Sequence, residues 1–115
     1  MVVIFQSEKA RRFLLENGVV FTFRSKRRKK LGEDWITDRR GGHKIADALV
    51  EEEGKFKLQD LGLYVEYSGF STLEEWIEEI KGLNGGRLPA EGWLYKVTLL
   101  SASSNVKARG FVTAR

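Results

Sequence analysis

The chain has 115 residues, 20 Lys+Arg against 16 Asp+Glu, a net charge of +4 and no Cys. That length suits one domain, residues 1–115, because two separate cores would each be too small to be stable. The missing Cys excludes disulfides, thiolate metal sites and thiol catalysis, and 42% hydrophobic with 31% charged content argues against both a disordered tail and a membrane protein.

Residues 2–5 form a short β-prone run. No basic stretch precedes it, so it does not read as a signal peptide, and a cytoplasmic protein is expected. Ser7 then caps a helix over residues 8–17, which Gly18 ends. A strand follows at 19–24. Alternation puts Val19, Phe21 and Phe23 on one face, which reads as core. Val20, Thr22 and Arg24 share the other, which reads as the wall of a polar cleft. Residues 25–30, SKRRKK, carry five consecutive like charges and predict an exposed loop. Residues 38–42 predict a turn. Residues 44–53 fit a helix, through Ile45, Ala48 and Leu49, and equally a bulged strand.

Phe56, Leu58, Leu61, Leu63 and Val65 read as extended. Ser71 with Glu74 makes a capping box that opens a helix reaching residue 81 and stopping at Gly82. Leu73, Trp76, Ile77 and Ile80 are its buried stripe, and Glu74, Glu75, Glu78 and Glu79 its wet face. Residues 93–100 predict a strand, 101–105 a turn, and 106–113 a last strand broken by Gly110. Five or six strands and two helices make an α+β domain, a small curled sheet or barrel.

The charge is segregated along the chain. Residues 1–50 hold twelve basic and six acidic residues, 51–82 three and nine, and 83–115 five and one. Such asymmetry points to a basic face turned toward a polyanion. The same Glu/Lys/Arg richness also fits the ion-rich surface of a thermophile.

The order of features resembles the ASCH domain, a branch of the PUA-like β-barrel superfamily. The helix ending in Gly18 comes first, then Phe21-Thr22-Phe23-Arg24 as a Thr-x-Arg strand end. A Gly-Asp-like turn follows at Leu31-Gly32-Glu33-Asp34, then Gly69-Phe70-Ser71-Thr72-Leu73-Glu74-Glu75 and a final aromatic strand at 93–100. The likeness covers roughly residues 8–100. It implies a small PUA-like β-barrel with two flanking helices, a strand at residues 45–50, and a function on RNA or modified nucleotides. Some small members are amidohydrolases of acylated cytidine, using a Lys before the first strand, a Thr and a Glu. Here the lead-in reads Gly18-Val19-Val20 and lacks that Lys, so a non-catalytic binder is expected.

For nucleic acid the required parts are cations for phosphate and flat side chains for exposed bases. Thr22, Arg24, Lys26, Arg27, Arg28, Lys29, Lys30, Trp35, Arg39, Arg40 and Lys44 are the candidates. If the chain is instead an enzyme on acylated nucleosides, the resemblance points to Thr22, Glu74 and Glu75. A protein-interaction module using the acidic helix is a third reading. His43 is a lone His with no identifiable orienting partner and reads as a surface residue. The glutamates read as a solvated face, not a metal site, and no cofactor is expected.

Overall fold

A computed structural model describes residues 2–4, 7–39 and 41–102. In it the chain is an α+β fold built on one five-stranded sheet. The elements are β1 (Val2–Ile4), α1 (Glu8–Asn17), β2 (Val19–Arg24), β3 (Gly32–Thr37), β4 (Ala46–Lys57), a 3-10 helix (Leu58–Tyr67), α2 (Leu73–Leu83) and β5 (Glu91–Ala102). The strand order is β1-β3-β4-β5-β2, with β1 parallel to β3 and all other pairs antiparallel.

The first half follows its local signals. Ser7 accepts a hydrogen bond from the Ala10 N–H, and Gly18 closes α1 in the left-handed conformation with its N–H on the Leu14 carbonyl. The ambiguous stretch at 44–53 is strand: β4 begins at Ala46, buries Ala46, Ala48 and Val50, and leaves the intervening residues partly wet. Its register against β5 shifts between Asp47 and Ala48 and again between Glu52 and Gly54. Each such bulge bends and twists the strand, so a long β4 curls instead of lying flat.

Four readings are corrected. Residues 58–67 are not extended but wind as a 3-10 helix. The reason is a period of three: Leu58, Leu61 and Tyr64 stack in one row against the core, as side chains eclipse in a 3-10 helix. Leu63, read as an apolar position of an extended segment, is 85% exposed. The fold therefore has this helix besides the two expected ones. The capping box is displaced by one residue. Thr72 is the N-cap, its Oγ1 accepting from Glu75 N–H, while a Glu75 carboxylate oxygen accepts from Ser71 N–H. Finally, α2 runs past Gly82 to Leu83. Residue 101 lies in β5, not in a turn, and the predicted strand at 106–113 lies outside the described residues.

Two cores pack on opposite faces of the sheet. Val20, Tyr95 and Val97 join Ile36, Ala46, Ala48 and Val50, covered by Ala10 and Leu14 of α1. Phe23 and Leu94 point the other way and pack with Leu61, Phe70, Trp76 and Ile80 of the 3-10 helix and α2. So both faces of β2 carry core, where one was expected to be a polar wall. The two helical layers meet around β2, which ends the strand order. There Gly69, at φ +92°, lies against α1, and a Cβ on it would stand 2.7 Å from the Lys9 carbonyl oxygen. Lys9 also bridges to Glu75 at 2.7 Å. Among the described residues no helix is long and apolar enough to cross a membrane.

Candidate nucleotide-binding cavity

A cavity of about 450 Å³ opens along β2, where the two helical layers converge. Residues from both faces of β2 line it, Phe21 and Phe23 from one and Thr22 and Arg24 from the other. That is possible only at the edge of a sheet, where the two sets of side chains wrap around one strand. α1 contributes Ala10, and α2 contributes Trp76, Glu79, Ile80 and Leu83. Ser25 Oγ donates to Asn84 Oδ1 at 2.9 Å and ties the end of β2 to the end of α2. Ser68 is fully buried, donates to the Val65 carbonyl and accepts from Phe70 N–H, which holds Phe70 in the wall.

The walls are chemically divided. Phe23, Phe70, Trp76 and Ile80 are buried and apolar. Arg24, Lys26 and Arg28 bring positive charge. Burial first, then the like charge of Arg28, holds the Arg24 guanidinium below its ordinary basicity, with Tyr95 pulling the other way. A guanidinium stays protonated nonetheless, so Arg24 keeps its positive charge in the cavity wall. The volume is that of a small-molecule site.

The basic loop 25–31 is less free than its sequence suggests. It leaves β2 at the end of the sheet and crosses to β3, anchored on each strand it passes. Arg28 N–H donates to the Tyr95 hydroxyl on β5 at 2.6 Å. Arg27 forks onto the Glu52 carboxylate on β4 at 2.8 and 2.9 Å, and that bond raises the Arg27 pKa. Arg28 Nη2 bonds Asp34 on β3 at 3.2 Å, with the two side chains only 13% and 8% exposed. Lys26, Lys29 and Lys30 are exposed. The acidic residues of the middle third thus neutralise part of the basic half, through Arg27–Glu52 and Lys9–Glu75.

The structure brings together Thr22, Arg24, Lys26 and Arg28 of the expected site and separates the rest. Trp35, 36% exposed, sits on β3, separated from β2 by β4 and β5, and opposite Asp47 of β4. Arg39 bonds Asp38 and Lys44 bonds Asp47, both at the β3–β4 connection. Arg40 lies outside the described residues. His43 is exposed. Glu74 is not in the cavity wall, and Glu75 is held by Lys9 and by Ser71 N–H. The carboxylate that does line the cavity is Glu79. Its spacing from Trp76 and Ile80 marks the flank of the buried stripe, the one sequence signal for its position. Phe21 and Trp76 were read only as core, and Phe70 only as part of the Gly69–Glu75 segment, yet all three also form cavity wall. Among the described residues no cluster of His, Asp or Glu is arranged to hold a metal ion.

The Lys9 contact, then the Ser71 N–H, hold the Glu75 carboxyl below its ordinary range. Lys44, then Ser101, do the same for Asp47. A carboxylate more acidic in the fold than in the unfolded chain contributes stability that is complete above the unfolded value. That contribution is lost as pH falls through the lowered one. The melting temperature is therefore expected to drop on acidification below about pH 4. Glu75→Gln should flatten that drop, and added salt should shrink it, because the pair is exposed. An unchanged melting profile in the variant would count against the Lys9–Glu75 contribution.

No protein-family model, no curated protein and no solved structure matches the chain.

Proposed function

We propose that the chain is a non-catalytic PUA-like domain of the ASCH branch that binds single-stranded RNA or a modified nucleotide at the β2 cavity. One observation carries this reading: Thr22, Arg24, Lys26 and Arg28 share a cavity with four aromatic side chains, Phe21, Phe23, Phe70 and Trp76. Phosphate recognition needs the cations, and an unstacked base needs the flat apolar walls. The bulged β4 and the strand order support a curled, barrel-like sheet of the PUA-like kind. A cytoplasmic location accompanies this reading. The amidohydrolase alternative has less support, since Glu74 stands off the cavity, Glu75 is occupied by Lys9, and Val19-Val20 replace the Lys.

Lys26 lines this cavity, Lys29 and Lys30 are exposed on the loop that leads away from it, and the three supply the salt-dependent part of binding. Affinity for a short single-stranded RNA is expected to fall linearly with log salt. Changing all three lysines to Ala should reduce that slope by about 2, near 0.7 per lost phosphate contact. Fluorescence anisotropy across a salt series measures it. Equal slopes for the two proteins would overturn the assignment of phosphate contacts to this loop.

A further inference from the structure

Glu79 stands apart from its acidic neighbours on α2. It is half-buried and lines the cavity beside Phe70 and Ile80. Glu75 is engaged by Lys9, whereas Glu79 makes no hydrogen bond or ion pair among the described residues. It pairs with none of Arg24, Lys26 and Arg28, although all four line the same cavity. The cavity thus carries cations and a carboxylate that do not pair with one another, together with aromatic wall.

This polarity constrains an occupant. A nucleotide whose phosphate meets the cations presents its base to the apolar wall and to Glu79. An ionised carboxylate is acceptor-only and takes two parallel N–H donors. A base edge that offers acceptors there leaves the carboxylate desolvated without compensation. Of the four common bases, only guanine has two adjacent donors on its Watson–Crick edge, N1–H and the N2 amino group. Adenine and uracil alternate donor and acceptor there, and cytosine sets one donor beside two acceptors.

We infer that Glu79 is a specificity-determining residue that selects a guanine-type base, one with two adjacent N–H donors, at the β2 cavity. The inference rests on the nucleotide reading above and adds the base class to it. Lys26, exposed at the cavity, serves any nucleotide alike, because it meets the phosphate. Discrimination falls to the one carboxylate.

Calorimetric titration of the full chain with GMP, IMP, AMP, CMP and UMP tests this. GMP should bind about ten- to a hundredfold more tightly than AMP, CMP or UMP, the range that one good bidentate contact supplies. IMP keeps N1–H but lacks the amino group and should fall between. Glu79→Gln should bring GMP to the level of the others and erase the GMP–IMP difference. Because Glu79 bonds no other described residue, the variant should fold, which its melting temperature checks. Lys26→Ala should weaken all five by one common factor. Equal affinity of the wild type for all five, or an intact GMP preference in Glu79→Gln, would overturn the inference while leaving nucleotide binding standing. Failure of every nucleotide and of the RNA to bind would overturn both.

Discussion

Arg28→Ala is expected to cost about 3–5 kcal/mol of folding stability, the range for breaking one side of a buried ion pair. Its guanidinium and the Asp34 carboxylate are 13% and 8% exposed. Removing the Arg side chain leaves a desolvated carboxylate without its cation. It also frees the loop, because Arg28 Nε donates to the Lys30 carbonyl at 3.2 Å. Urea unfolding of the variant measures the loss, and Asp34→Ala should be comparably damaging. A combined Arg28→Met, Asp34→Leu variant should recover most of it, since well-packed apolar residues replace buried pairs at little cost. Lys29→Ala, three-dimensionally close but exposed, should change stability by no more than about 0.5 kcal/mol. A loss below about 1 kcal/mol in Arg28→Ala would mean the pair is solvated and the loop is anchored otherwise.

Gly69→Ala is expected to cost about 2–5 kcal/mol. A left-handed backbone costs an L residue about 1–2 kcal/mol, and overpacking adds about 1–3. Both apply at once: φ is +92°, and the new Cβ would stand 2.7 Å from the Lys9 carbonyl oxygen and 3.0 Å from Ala10 Cα. Those obstacles are backbone and cannot rotate away. Relief requires α1 to move from the start of α2, which carries Ala10 out of the cavity wall and strains Lys9–Glu75. Ligand affinity should therefore fall with stability. Gly62→Ala is the control, because its Cβ would meet only Leu73, at 4.0 Å. Thermal melts of both variants decide the matter, and equal melting temperatures would refute the close-approach account.

The elements that the sequence made legible are those whose signal is local. Ser7 and Gly18 bracket α1 with residue types that satisfy its end groups, and the structure uses both as expected. The alternation of β2 was also legible. Its consequence was not, because which face is core depends on what packs there, and here α1 covers one face and α2 the other. The 3-10 helix escaped because Phe56, Leu58, Leu61, Leu63 and Val65 match a period of two nearly as well as Leu58, Leu61 and Tyr64 match three. The capping box slipped by one because Ser71-Thr72 and Glu74-Glu75 offer two equivalent registers, and only Thr72 takes the extended N-cap conformation. For the cavity, Thr22, Arg24, Lys26 and Arg28 are legible as neighbours because they follow one another on β2 and the loop after it. Glu79 was missed as a site residue because four glutamates on one helix look alike until the helix is docked. Trp35 was attractive by adjacency to the basic run, but sheet order puts β4 and β5 between it and β2.

Consider last the clasp around β2. Lys9 reaches Glu75 across 66 positions of chain, and Ser25 reaches Asn84 across 59. Bringing such distant segments together carries a loop-closure cost that contacts within a hairpin do not. The β4–β5 pairing and both helical layers must already be in place before these bonds can form. The cavity is thus assembled by the closing steps of folding rather than by any early local unit. No excised peptide, not even the whole basic loop with β2, contains it. A partially folded chain would keep the loop's positive charge while lacking the cavity.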